Sequence, residues 1–360
     1  MKTVRDFQLI GKKVLVRCDF NVPLSARGSI VDDFRIRESL PTIQYIRDGG
    51  ASVILMAHLG RPLRDEKIEK RKEKYSLRPI AIRLEELLGI KITFLQDCVG
   101  EKVEDEIDKL EPGRVVLLEN LRFHKGETAN DPEFARALAK MGDIYINNAF
   151  AVDHRAHASL VGIPQLLPTG AGLLLEKEVL SLEKVIADPK RPLVAIVGGT
   201  KIATKTDFLD EMSALADAVL IGNPVCNGIL ETGLNFRGAE KIVKPVDGVP
   251  NMEEALDIGP KTISLFQKSI RGAKTILWTG PLGRIEEKAY AVGSLAVAEA
   301  IIQSGAFSVA GGGDLSGFLH SHHLGIKFSH VSTGGGAMLA FLSGQDMPGL
   351  QALKQKENGD

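Results

Sequence analysis

Short runs of β-branched and apolar residues alternate along this chain with stretches of helical periodicity, and this alternation constrains the fold more than any other feature. KVLVRC, ASVILMA, KITFL, RVVLLE and GDIYIN read as strands in the first half. LVAIVG, DAVLIG, TILWTG, FSVAGG and FSHVST read as strands in the second. Amphipathic stretches such as residues 76–88 and 288–303 lie between many of them. Parallel strands need a long crossover, usually a helix, so the rhythm predicts an α/β protein with parallel sheets covered by helices on both faces. At 360 residues the chain is too long for one small core and suits two domains. A boundary is expected where Leu175, Val179, Leu182 and Ile186 fall at i, i+4, i+7 and i+11 on one helical stripe. DPKRP then ends that helix, because proline lacks a donor and restricts the residue before it.

Several function classes are disfavoured at once. The formal net charge is −1, so there is no global basic field of the kind that binds nucleic acid, and any anion site must be local. No apolar stretch is long enough to span a bilayer, and the N-terminal residues show no secretory pattern; a cytoplasmic protein is expected. Cys18, Cys98 and Cys226 are scattered and odd in number, which fits reduced thiols. His320, His322 and His323 have no Cys or carboxylate beside them at ligand spacing and read as a solvated helix end. The mixed-sign run RDEKIEKRKEK at residues 64–74 reads as an exposed loop or helix face without a function.

Four turns in the second half share one scheme of strand, glycines and helix: IVGGTKIATKTDFL, WTGPLGRIEEKAY, VAGGGDLSGFL and VSTGGGAMLAFL. Glycine lets the backbone approach a ligand closely, and the following helix opens with free N–H groups and a partial positive charge. That combination receives phosphate. The P-loop order and the G-x-G-x-x-G fingerprint are both absent, which counts against a dinucleotide-dependent dehydrogenase. In the first half, RCDFNVP, MAHLGRP, LLENLRFHKGE and NNAFAVDHRAHAS each follow a strand, and DDFRIRESLPTI opens a helix. They carry Asp19, Asn21, Arg35, His58, Arg61, Arg122 and Arg155. Arginine forks match carboxylate and phosphate oxygens, so the inferred ligand is small and strongly anionic.

Together with AGLLLEKEV, RPLVAIVGGTK, LDIGPKT, GPLG, AGGGD and FSHVSTGGGAMLAFLSGQDMPGL, these segments resemble the phosphoglycerate kinase family, in that family's order and over nearly the whole chain. The resemblance implies two Rossmann-like lobes, residues 1–172 and 191–345, joined by a hinge helix at 173–190, with residues 346–360 returning to the first lobe. It implies a cytoplasmic, glycolytic monomer that moves phosphate between 1,3-bisphosphoglycerate and ADP, using Mg2+ as Mg-ATP or Mg-ADP. The seven first-lobe residues would bind 3-phosphoglycerate. Gly198, Gly199, Lys201, Lys205, Pro281, Glu286, Gly311, Gly312, Gly313, Asp314 and Gly336 would bind the nucleotide, with Asp314 also toward the metal. Arg35, Lys201, Gly334 and Gly335 would act on the phosphoryl group in flight.

Departures from the family pattern gather on the nucleotide side. Thr204 stands for an aspartate, Thr279 for an asparagine, and Leu315 for a Ser or Thr. Residues 222–226 replace a glycine-rich segment that lines the base pocket, and the stretch after them is shortened by about a helix and a strand. The alternative reading is therefore a kinase-derived module that binds phosphoglycerate-like anions but transfers phosphate poorly.

Overall fold

The computed structural model describes residues 1–62, 67–200 and 205–355. The chain forms two compact units, one of residues 1–177 with the stretch from 346 onward, the other of residues 178–345. In the first, Lys13–Cys18 (β1), Ser52–Met56 (β2), Ile92–Phe94 (β3), Val115–Leu117 (β4), Ile144–Asn148 (β5) and Thr169–Ala171 (β6) make a parallel sheet. Its order is β3-β4-β2-β1-β5-β6. Every residue of β2, β4, β5 and β6 is buried, as expected of parallel strands covered on both faces. β1 is buried from Val14 to Cys18, although Arg17 lies within that run.

Helices supply the covers, and their ends follow local chemistry. Arg78–Leu88 has Pro79 in its first turn and ends at Gly89 with φ 65°, while Ile80, Ala81 and Leu84 face the core. The C-terminal helix Pro348–Gln355 belongs to this unit; Gly349 N–H donates to the Asp153 carbonyl at 2.9 Å, and Met347, Leu350 and Leu353 are buried.

The second unit has a sheet of the same size. Leu193–Val197 (β7), Ala218–Ile221 (β8), Ile242–Val243 (β9), Thr275–Thr279 (β12), Phe307–Gly311 (β13) and His330–Ser332 (β14) are parallel in the order β14-β13-β12-β7-β8-β9. Gly248–Val249 (β10) and Asp257–Ile258 (β11) form a separate antiparallel pair. The helix Leu173–Ile186 runs across the division between the units and stops before DPKRP. Leu175, Val179 and Leu182 of its stripe are buried, and so is Glu178.

All three cysteines are free and buried. His320, His322 and His323 are exposed at the end of the helix Gly313–Ser321, with the His322 ring 4.3 Å from that of Phe318. Among the described residues no helix is long and apolar enough to cross a membrane.

Candidate active site

In the first unit β4, β2, β1 and β5 are neighbours, so the segments after their carboxyl ends gather along one edge, where ligands sit in parallel α/β sheets. Asp19 follows β1 and is almost wholly buried. Its carboxylate accepts Arg35 Nη1 at 2.7 Å and the Asn21 N–H at 3.2 Å, and Arg35 Nη1 also reaches the Asn21 carbonyl at 3.1 Å. Arg35, in the first turn of the helix Phe34–Asp48, is thereby tied to the loop after β1. Asn21 Oδ1 accepts the Gly60 N–H at 2.8 Å, and the Gly60 carbonyl accepts Arg122 Nη1 at 2.6 Å. One hydrogen-bonded chain therefore links the segments after β1, β2 and β4. Gly60 is required in it: its φ is +64°, and a Cβ there would lie 2.5 Å from the Tyr75 ring.

Beyond this chain opens a cleft of about 300 Å³, lined in part by Arg61, Arg71, Arg122, Lys125, Arg155 and His157 and by no carboxylate among the described residues. Burial, then the nearby Arg155, Arg17 and Arg61, bring Arg122 down to about 10. Arg155 is lowered by burial and then chiefly by Arg61. Each cation makes the next less comfortable, and an anion would relieve the repulsion. His58, fully buried, is held well below its ordinary value by burial and by Arg17, Arg122 and Arg155. Arg17 Nη2 lies 3.2 Å from His58 Nδ1. Arginine only donates, so Nδ1 accepts and the imidazole proton resides on Nε2. Asn21 lines a second hollow of about 670 Å³ with Gly60, Leu24 and Tyr75.

Sequence reasoning missed the layer beneath the cleft. Arg17 is wholly buried, donates to Ser159 Oγ at 2.9 Å and lies 3.9 Å from the buried carboxylate of Glu127. Glu127 accepts the Ser159 N–H at 3.0 Å and its hydroxyl at 2.7 Å. Burial opposes ionisation of Glu127, but His157, Arg17 and Ser159 outweigh it and hold the carboxyl below its ordinary value. Asn120, also buried, donates to the carbonyls of Leu59 at 2.8 Å and Tyr75 at 2.9 Å and accepts the Arg122 N–H at 3.1 Å. A signal existed in KVLVRC, where a charge interrupts an apolar strand.

In the second unit the glycine turns follow β7, β12, β13 and β14, which are consecutive in the sheet. The turns pack directly on one another. Gly198 N–H donates to the Thr279 carbonyl at 2.8 Å and Gly199 N–H to that of Pro281 at 2.7 Å. A Cβ on Gly198 would meet the Pro281 carbonyl oxygen at 2.1 Å, and one on Gly335 would meet Gly312 Cα at 2.7 Å. Those glycines serve contact between turns. Gly313 and Gly336 face open space, with nothing within 4 Å of an added Cβ. Lys205 Nζ reaches the Gly198 carbonyl at 2.5 Å. Lys201 and Thr204 lie outside the described residues.

The turn after β14 differs in one respect from its expected form. Gly334 N–H is accepted by Ser332 Oγ at 3.2 Å, so outward-facing amides begin with Gly335 and Gly336, the first residues of the helix Gly335–Leu342. Thr333 is fixed from below by Glu178, whose carboxylate accepts its N–H at 2.7 Å and its hydroxyl at 2.8 Å and meets His330 Nε2 at 2.7 Å. Burial opposes ionisation of Glu178, yet His330 and Thr333 keep it below its ordinary value. This residue too had a legible signal, an acid on the same stripe as Leu175 and Leu182. Asp314 is exposed in the first turn of the helix Gly313–Ser321, and Glu286 is exposed beyond β12. Leu315 and Thr279 are buried, so both departures lie in packed positions. Gly311 is packed as well, since a Cβ there would lie 2.5 Å from Met338 Sδ.

The family model for phosphoglycerate kinase matches residues 4–235 and 229–345. A phosphoglycerate kinase of Dictyoglomus turgidum is 42% identical over 395 aligned residues, covering 98% of this chain and 98% of the relative. One of Desulforapulum autotrophicum is also 42% identical, covering 98% of this chain and all of that protein (100%). Among solved structures, phosphoglycerate kinase of Pyrococcus horikoshii superposes with a TM-score of 0.88 at 30% identity, covering 99% of this chain and 100% of that one. The Coxiella burnetii phosphoglycerate kinase gives 0.82 at 33% identity, over 98% and 99% of the two chains.

Proposed function

The chain belongs to the phosphoglycerate kinase family, and from that premise we propose how its two units divide the transfer of a phosphoryl group between 1,3-bisphosphoglycerate and ADP. The first unit holds 3-phosphoglycerate: Arg61, Arg122 and Arg155 take anionic oxygens, while His58 offers a neutral N–H donor. Asp19 and Asn21 fix Arg35, which faces the reacting carboxylate. In the second unit the glycine turns, Lys205 and Pro281 surround the nucleotide phosphates, and Glu286 reaches the ribose. Mg2+ fits the hard, exposed carboxylate of Asp314, where with the phosphates it would neutralise charge.

In the direction of ATP use, a carboxylate oxygen of 3-phosphoglycerate forms a bond to the γ-phosphorus as the bond to ADP breaks. Both partners are anions, so repulsion is the central obstacle, and the charge in transit spreads over the equatorial oxygens. The chain answers with positioned donors rather than a covalent nucleophile: Arg35 from the first unit, and Lys201 with the Gly335 and Gly336 amides from the second. The helix Leu173–Ile186 serves as the hinge, and exclusion of water during transfer prevents hydrolysis. A cytoplasmic monomer is the form we assign. The observation that carries this reading is the cleft with several arginines and, among the described residues, no carboxylate.

Steady-state kinetics tests the division of labour. Asp314→Asn raises KM for Mg-nucleotide by about tenfold and leaves KM for 3-phosphoglycerate unchanged; Arg122→Ala does the reverse. A variant that moved both constants equally would contradict it.

A further inference from the structure

The charged run at residues 64–74 contains a residue that its sequence gave no reason to single out. Its helix, Ile68–Tyr75, buries no residue, and its sides border two hollows in the first unit. Lys70, Glu73 and Lys74 line the larger one, whereas Arg71 lines the cationic cleft with Arg61, Arg122 and Arg155. The helix is anchored to the segment that carries Arg122. Ser76 Oγ and the Leu77 N–H donate to the Glu119 carboxylate at 2.8 and 2.9 Å, and Asn120 Nδ2 donates to the Tyr75 carbonyl at 2.9 Å. Lys72 Nζ adds a bond to the Gln96 carbonyl at 3.2 Å. Arg71 is thus held against the same loop as Arg122. The Nε atoms of both arginines are buried without a hydrogen-bond partner. A buried donor left in that state is unfavourable unless a ligand supplies the acceptor.

We propose that Arg71 is a specificity-determining residue that donates to the phosphate group of 3-phosphoglycerate, adding a further guanidinium to the anion cleft. The inference rests on the reading of this cleft as the 3-phosphoglycerate site. A phosphate dianion offers more acceptor sites than one arginine fork can fill, so a further fork adds affinity for the phosphorylated acid over its unphosphorylated counterpart.

Calorimetric binding of 3-phosphoglycerate, without nucleotide, is compared for the wild type, Arg71→Ala, Arg71→Lys and Lys70→Ala, with far-ultraviolet circular dichroism on each. Arg71→Ala weakens binding by about tenfold. It also weakens competition by inorganic phosphate, leaves KM for Mg-nucleotide in place, and is partly rescued by Arg71→Lys. Lys70→Ala, on the other hollow, binds as the wild type does. Unchanged binding in Arg71→Ala overturns the proposal, as does a loss accompanied by an equal rise in KM for Mg-nucleotide or by lost helical content. A wild type that binds 3-phosphoglycerate but does not turn it over would count against the kinase reading while leaving the Arg71 comparison decisive.

Discussion

His58 shows how a single side chain is tuned by its surroundings. Burial and three neighbouring arginines keep it neutral, although the ordinary imidazole value is 6.5. The unfolded chain gains this proton as pH falls through that value, whereas the folded chain does not, so stability is present above it and is lost below it. The depressed carboxyls of Glu127 and Glu178 add their loss only as pH falls below their ordinary 4.5. Urea midpoints measured between about pH 5 and pH 7 should therefore decline toward acid in the wild type, and His58→Gln should make that decline shallower. Equal slopes in the two proteins would contradict the assignment. At this scale the cations after the strands were legible, because Gly, Pro, His or Asn marks each turn in which they stand. Arg71 was not, since which face of a short charged helix meets the cleft depends on how Glu119 and Asn120 anchor it.

Elements tell two kinds of glycine apart. Gly198 lies where two turns touch and an added Cβ would strike the Pro281 carbonyl, whereas Gly336 opens a helix with free space before it. Gly198→Ala should lower the stability of the second unit by about 1–3 kcal/mol through overpacking. Gly336→Ala should leave the melting temperature unchanged or raised, because alanine favours helix, while turnover falls by tenfold or more as the methyl group obstructs the phosphoryl site. Thermal denaturation and steady-state kinetics on the two variants check both halves; equal destabilisation would refute the distinction. The strand–glycine–helix scheme was readable because β-branched runs and glycine clusters are strong local signals. Thr169–Ala171 and Ile242–Val243 were missed because strands of that length show no periodicity and are made by pairing with β5 and β8. The end of the free-amide run was also hidden, since only the fold places Ser332 Oγ against the Gly334 N–H.

The whole molecule repeats one plan: each unit has a six-stranded parallel sheet with its candidate site segments beyond the carboxyl ends of adjacent strands. With a formal charge of −1 over 360 residues, the cations that matter must be concentrated locally, and the first unit does so in a cleft lined by Arg61, Arg71, Arg122 and Arg155. The departures from the family pattern that the sequence suggests fall in the second unit. Leu315 and Thr279 are packed inside it, and the two stretches of the family match meet at residues 229–235, within the region read as shortened. Lys205 lies against the Gly198 carbonyl, Asp314 is exposed, and Gly313 and Gly336 face open space, which favours the transfer reading over mere binding. Positioned charge, with no covalent intermediate on the protein, overcomes the repulsion between two anionic reactants. A coupled assay with 3-phosphoglycerate and Mg-ATP, comparing the wild type with Arg35→Ala, tests it most directly. The account predicts sustained wild-type turnover and a loss on the order of 10³-fold in the variant; wild-type turnover no faster than that of Arg35→Ala would contradict it.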